Sequence, residues 1–500
     1  MAKLGAVLGA VLGALLLKYG RKPAMIVDVL FFLVGPVVMV VYSHVALLIV
    51  GRCVMGMGIG VSAVVVPAYL GEVSPSKYRG RVVGSYELML CMGFLSAALV
   101  DALLDSLGVS WLWMVGMPLV PAMVMAAFVW KIPESPRWLV SEGRLDEAMA
   151  VMKGIHGSTG DDALIATVER ELLDCWSSVE KEMAASGSLE LTGVVRGVDA
   201  GGDAGGDRGG DRGGDRGGDR GGDRGGYRHG DEERGDKDSV GGGLVAKEGG
   251  DQNHQDEAPL LPPGENASSR ELGDISELRR PQRKLTLLQS VYRLSRGSER
   301  RAFWTVMALA FFNQSCASTA ILNYAPVVLQ SQGVESATAS FFSAATGLSK
   351  LVGVTVSFFL VDRVGRRPLL MWGSAGSALS LLVVALADAL SSVGLIVLGM
   401  SLFIFFFSLS WAEIFWIILS EVFSMKAKSA AMATCTATLF LVGSAADMLF
   451  LTIRNAVGFV SFILYSVIAL AGGVFVYFFL PETSRRSLAE VQESFASGRW

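Results

Sequence analysis

The chain has 500 residues, 51% of them hydrophobic and only 18% charged, with a mean hydropathy of +0.46. That is too apolar for an ordinary soluble domain, whose charged fraction is nearer about a quarter. A formal net charge of −4 argues against a nucleic-acid partner. The five cysteines (Cys53, Cys91, Cys175, Cys316 and Cys435) show no paired spacing, and four lie in apolar runs. They read as small buried hydrophobes, and the spacing gives no support for a disulfide framework.

Taken in chain order, eleven apolar runs stand out: 4–17, 24–42, 45–69, 82–104, 111–130, 302–329, 338–361, 368–388, 393–419, 429–451 and 457–480. A helix that crosses the bilayer core needs about 20 such residues, and membrane helices tolerate the Gly and Pro found in several of these runs. The first run is short, but a basic turn and a long apolar run follow it and it lacks a strongly basic leader, so it is not read as a signal peptide. Lys and Arg collect in every second loop: Lys18, Arg21 and Lys22; Lys77, Arg79 and Arg81; Arg137; the stretch before residue 302; Arg363, Arg366 and Arg367; Lys426 and Lys428; Arg485 and Arg486. The alternate loops hold one basic residue, Arg454. The positive-inside rule then places the C-terminus in the cytoplasm and the N-terminus on the other side.

The basic loops are also copies. "GRKP" at 20–23 matches "GRRP" at 365–368, Glu72 with Arg79 matches Glu421 with Lys428, and "PES" at 133–135 matches "PET" at 481–483. The offsets are 345, 349 and 348 residues, so the chain reads as two homologous halves, an arrangement common in transporters, with the substrate site between them. The predicted organisation is a transmembrane bundle over 1–140, a cytoplasmic loop over 141–300, a second bundle over 301–484 and a cytoplasmic tail over 485–500. Two apolar runs precede GRRP and one precedes GRKP, so symmetry predicts one further helix before Met1: eleven are seen of an expected twelve.

The motifs "YGRKP" (19–23), "GRCVMGMGIG" (51–60), "EVSPSKYRG" (72–80), "PESPRWL" (133–139), "DRVGRRP" (362–368), "SEVF" (420–423) and "PETS" (481–484) cover nearly the whole chain outside its central loop. With them the chain resembles the sugar porters of the major facilitator superfamily. "SYELMLCMGFLSA" (85–97) and "NYAPVVLQ" (323–330) are similar to the proton-linked hexose and polyol branch. The resemblance implies an all-α membrane protein with the major facilitator fold, two pseudo-symmetric helical bundles. It also implies a secondary transporter that moves a hexose or polyol by alternating access, coupled to a proton.

On the cytoplasmic face, Glu72 and Glu421 can accept from Arg79, Arg137, Arg366 and Arg367, and with Asp362 these form a candidate latch that holds the halves shut on the inside. The bland alternative is that the arginines only anchor topology.

Ionisable groups at bilayer depth are costly and usually functional. Four stand out: Glu87, Lys350, Glu413 and Asp447. Glu87 occupies a place where relatives usually carry a sugar-binding Gln, and is the candidate proton carrier. Lys350 stands where many relatives carry a sugar-binding Asn. The two come from opposite halves and are expected to face each other, either in coupling or as a structural ion pair. Glu413 falls in "SWAEIFWIILSEVF", where relatives carry a Gly/Pro-rich hinge, so the hinge is read as lost. Asp447 is read as exposed near the outer end of its helix.

By resemblance the sugar site falls on Asn313, Gln314, Thr319 and Trp416, with Glu87 and Lys350. Thr319 points away from the other two polar groups on a straight helix and reaches sugar only if the helix unwinds there. A later Asn position is Leu439, which cannot hydrogen-bond. Amides and hydroxyls between helices also serve as glue, which is the structural alternative for these groups.

In the central loop, 141–157 and 161–185 have helical periodicity with charged faces. The five tetrapeptides of "GGDRGGDRGGDRGGDRGGDR" (205–224) have no apolar side chain, so they read as a flexible linker. "DEAPLL" (Asp256–Leu261) fits an acidic dileucine signal for a sorting adaptor, which would place the protein in the plasma membrane or a vacuolar or endosomal membrane. "NAS" at 266–268 is a glycosylation triplet on the wrong side for glycosylation. Four histidines in no metal spacing, and no nucleophile elbow or phosphate loop, give no support for an enzyme, a metal or a cofactor. The competing reading is a non-transporting relative, a sensor or truncated product, which Leu439, the lost hinge and the absent first helix favour.

Overall fold

The computed structural model describes residues 1–41, 44–74, 78–156, 286–484, 486 and 488–497. They belong to one of the two units into which the chain divides, Met1–Gly187 with Arg280–Trp500; Ser188–Arg279 make the other. The 161–185 segment, the GGDR repeat, Asp256–Leu261 and the NAS triplet lie outside the described residues.

In the first half the helices are α1 (Ala2–Leu16), α2 (Arg21–Val41), α3 (Val45–Val73), α4 (Arg79–Ser106), α5 (Trp111–Gly116) and α6 (Leu119–Val129). Two short helices follow, α7 (Pro136–Ser141) and α8 (Leu145–His156). The second half holds α9 (Leu287–Arg296), α10 (Arg300–Ser315), α11 (Ser318–Gln330), α12 (Ser336–Val364), α13 (Arg366–Ala389) and α14 (Val393–Phe407). A π-helical turn (Ser408–Ala412) leads into α15 (Glu413–Glu421), and α16 (Met425–Val457), α17 (Val460–Phe479) and α18 (Leu488–Ser497) complete it.

Among the described residues ten helical stretches are long and apolar enough to cross a membrane, three of them compound: α5 with α6, α10 with α11, and α14 through α15. α1 is a shorter apolar helix of 15 residues. Large apolar side chains such as Leu8, Leu99, Trp113, Phe128, Leu379 and Leu386 stand exposed on the outside of the bundle, where lipid replaces water.

Hydrophobicity does not drive helices together inside lipid, so small residues must let backbones approach. The run "GAVLGAVLGALL" does this for α1. Gly5, Gly9 and Gly13 recur every four residues on its buried face, against Cys53, Met57 and Val61 of α3. A Cβ at Gly5 or Gly9 would run into the carbonyls of Cys53 and Met57, and Gly56 and Gly60 of α3 answer in kind against Ala2 and Ala6.

The packing repeats as the sequence does. In the repeat register α1 corresponds to α12, α2 to α13, α3 to α14–α15, α4 to α16 and α5–α6 to α17. α2 packs on α3 and on α5–α6 as α13 packs on α14 and α17. Between halves, α1 lies on α16 and α4 lies on α12, two seams that an approximate dyad exchanges.

Candidate functional site

At one end of the bundle, the end predicted to face the cytoplasm, the chain builds one module twice. Gly20 (φ 126) and Gly365 (φ 100) turn the chain through a conformation that a side chain disfavours, and each turn starts a helix. Glu134 then accepts from the backbone N–H groups of Arg21 (2.8 Å) and Lys22 (3.1 Å), at the positive end of α2. Glu482 accepts likewise from Arg366 (2.9 Å) and Arg367 (3.0 Å) at the start of α13. The capped arginines reach the buried glutamates. Arg21 donates through Nε and Nη2 to Glu72 at 2.8 and 2.7 Å, and Arg366 donates to Glu421 at 3.0 Å. Ser135 adds a hydroxyl bond to Glu72 (2.7 Å), and Thr483 adds one to Glu421 (3.0 Å).

The predicted latch residues divide on this frame. Lys428 of α16 reaches across the halves to Glu72 at 3.5 Å, and Arg79, its counterpart on α4, lies within electrostatic reach of Glu421. Asp362 pairs with Arg366 (3.1 Å) and accepts from the backbone N–H of Arg81 (3.1 Å), which ties α4 to the end of α12. Arg367 goes elsewhere: its guanidinium donates to the carbonyl of Tyr477 (2.6 Å) and lies against that ring, because the helix turn after Arg366 swings it outward. Arg137 forms no ion pair among the described residues and sits near Arg79 and Lys428. Arg21, which accepts the role expected of Arg79 toward Glu72, carried the signal in its position one residue after Gly20, the match of Arg366 after Gly365.

Deeper in the membrane the structure brings Glu87 and Lys350 together at 3.2 Å across the α4–α12 seam. Both are largely buried, and the Lys350 ammonium also lies 5.0 Å from the centre of the Phe94 ring. Trp416 is buried against Tyr86 of α4, edge to face at 5.5 Å, so it too stands on the seam between halves.

The polar side of α10 is organised around two breaks. α10 ends at Ser315, Ala317 takes a left-handed backbone (φ 59), and α11 restarts at Ser318. The π turn lies opposite. Its Trp411 carbonyl accepts from Asn313 Nδ2 (2.7 Å), the Trp411 indole donates to Ser374 (2.8 Å), and Asn313 accepts from Gln314 (2.9 Å). The segment read as having lost its hinge therefore carries a different irregularity, a π turn, the usual site of bending or function in a helix that lacks Gly or Pro.

The break turns Thr319 toward a cluster that the sequence did not announce. Lys3 Nζ lies 2.6 Å from Asp447 and donates to Thr319 Oγ1 (2.9 Å) and the Gly443 carbonyl (3.3 Å), while Thr319 donates to Asp447 (2.9 Å). The expectation of an exposed Asp447 is corrected: a cation from the other half holds it in the α1–α16 seam. Asp28 of α2 was also missed; it is 2% exposed within the first half, and its signal was a lone acid in the run 24–42. Leu439 is buried, as an apolar side chain at this depth should be.

Two pseudo-equivalent seams thus each carry one Lys–acid pair, the base on α1 or α12 and the acid on α16 or α4. The modules around Glu72 and Glu421 tie the same two halves together at one end of the bundle. Such an arrangement lets two rigid bundles part and rejoin by exchanging a few charged contacts.

Comparison with known proteins agrees with this geometry. The glucose transporter GlcP of Staphylococcus epidermidis is 26% identical over 481 residues, covering 95% of this chain and 82% of that protein. The probable polyol transporter 3 of Arabidopsis thaliana is 24% identical over 494 residues, covering 96% of this chain and 79% of the relative. A solved structure of the proton:xylose symporter XylE of E. coli, bound to 6-bromo-6-deoxy-D-glucose, matches with a TM-score of 0.69 at 18% identity, over 99% of this chain and 87% of that one; it has the major facilitator fold. The family described as "Sugar (and other) transporter" matches residues 1–192 and 264–495, leaving out the GGDR repeat. The chain is a multi-pass membrane protein of the major facilitator fold, and it belongs to the sugar (and other) transporter family.

Proposed function

We propose that the chain moves a hexose or a polyol across a membrane by alternating access, coupled to a proton. The observation that supports this most is the pair of cross-half ion contacts, Glu87–Lys350 and Lys3–Asp447, above a cytoplasmic closure built twice over. Residues 1–140 and 301–484 act as the two bundles, 141–300 as the tether and 485–500 as the tail. Sugar hydroxyls exchange with the hydrogen bonds of Asn313, Gln314 and Thr319, and Trp416 offers a ring face; Glu87 carries the coupled proton when it parts from Lys350. The relatives named above supply the substrate classes. The same proposal places the protein in the plasma membrane or a vacuolar or endosomal membrane, with Asp256–Leu261 read by a sorting adaptor.

The test is uptake of labelled glucose, xylose and inositol into proteoliposomes that contain the full chain, with and without an acid-outside gradient. Gradient-driven accumulation of at least one of them is expected, and Glu87→Gln should remove its pH dependence while the protein still reaches the membrane. No movement of any sugar would return the argument to a non-transporting relative, and acid-stimulated uptake unchanged in Glu87→Gln would remove Glu87 from the coupling step.

A further inference from the structure

Glu413 opens α15 directly after the π turn and is fully buried. Neither of its carboxyl oxygens has a hydrogen-bond partner, and it forms no ion pair among the described residues. Its walls come from both halves. Gly84 of α4 packs directly on Oε1, so that any side chain there would collide with it, and Ser357 of α12 lies beside it with its own hydroxyl unpartnered. The charged groups that face it are Glu87 on α4, Asp362 on α12 and Arg366 on α13. Two of these are acids. The one cation is already engaged with Asp362, Glu421 and Ser484. Glu87 has Lys350 for itself.

An ionised carboxylate in such a place is fully buried, has no counter-charge of its own and has only the neighbouring Ser357 hydroxyl as a donor, and the cost of that is high. We propose that Glu413 is a proton-holding site: its carboxylic acid is neutral while α4 lies against α15, and it gives its proton to cytoplasmic water when the halves part. The step is a simple dissociation of the acid into carboxylate and proton, and water is the acceptor. The direction follows from depth. Glu413 is eight residues above Glu421, about 12 Å along the helix, and Gly84 sits near the cytoplasmic start of α4. Parting the cytoplasmic ends therefore wets this carboxyl from the inside. Once ionised, it opposes renewed packing of Gly84 on it, so lower pH favours the packed arrangement and rising pH weakens it. Proton occupancy and closure of the inner seam become one event. A role in coupling rests on the transport reading above; the proton occupancy does not.

The test records the infrared carbonyl band of protonated carboxylic acids on the purified full chain at neutral pH. Wild type minus Glu413→Gln is expected to show such a band, and Glu87→Gln should keep it. Identical spectra for wild type and Glu413→Gln would overturn the proposal. If Glu413→Gln does not reach the membrane, Glu413→Asp replaces it, with a shifted band as the expected result and an unmoved one as the refutation. In proteoliposomes, glucose accumulation under an acid-outside gradient should be lost in Glu413→Gln and kept in the lipid-facing control Met123→Ala; accumulation retained in Glu413→Gln would overturn the coupling role. Failure of every sugar to move in wild type would count against transport, while the spectra still decide on Glu413.

Discussion

Lys3, near the head of α1, lies 2.6 Å from Asp447 of α16, and Thr319 of α11 bonds to both. Three residues from three helices thus meet at one point, where the first half touches the second. The pair is partly exposed, with side chains 27% and 18% accessible, so its contribution is moderated by solvent. Lys3→Met is expected to lower initial uptake rates by about fivefold, and Asp447→Asn in the same chain should recover most of the loss, since the two act as a unit. Equal, additive losses in the two single variants and the double would show that the pair is not coupled.

A larger effect is expected at Glu87 and Lys350, which are more deeply buried. Removing one partner of a buried pair leaves an uncompensated charge, whereas removing both does not. Lys350→Met should lower the unfolding temperature of the purified protein by about 5 °C, and more than Glu87→Gln/Lys350→Met does. Scanning fluorimetry distinguishes the two orders.

Glu72 receives Arg21 from its own half and Lys428 from the other. Glu72→Gln is therefore expected to loosen the inner seam. Ser420 of α15 lies against Gly71 of α3 in that seam and is buried. A cysteine at Ser420 should become several-fold more reactive toward an impermeant maleimide from the cytoplasmic side when Glu72→Gln is added. No change in labelling would show that the tie is dispensable for closure.

The α1–α3 contact gives the plainest structural prediction. Gly9→Val places a branched side chain against the Met57 carbonyl and should abolish recovery of folded protein from the membrane. Leu8→Ala, one residue away on the exposed face, should leave recovery unchanged, as size-exclusion of a fluorescent fusion would report.

Much of this architecture is legible in the sequence. The eleven apolar runs, the alternation of basic loops and the doubled GRKP/GRRP, Glu and PES/PET marks are local or periodic signals, and they define the helices and the two-fold plan. Glu87 and Lys350 could be paired because each is a lone charge in an apolar run and the halves must meet. Lys3 escaped notice because, at the edge of the first run, it has the look of a flanking anchor, and its partner lies 444 positions away. The environment of Asp447 is illegible for the same reason: its partial cover and its cation come from a helix of the other half. Arg21 holds the place of Arg366 in the repeat, a signal that the spacing of Glu72 and Arg79 masks. The π turn has no compositional mark. It arises where Ser410 packs against Gly373 and Asn313 draws off the Trp411 carbonyl, a tertiary circumstance.

The clasp of Asp362 on the Arg81 backbone has no twin among the described residues. Leu17 occupies the matching place in the first copy, and its side chain cannot accept a hydrogen bond. The inner closure is therefore lopsided: one edge is bolted at main-chain level, and the other is held by the reach of a lysine side chain. Such a closure is hinged on one side, and its looser edge is the one that α1, α3 and α16 border.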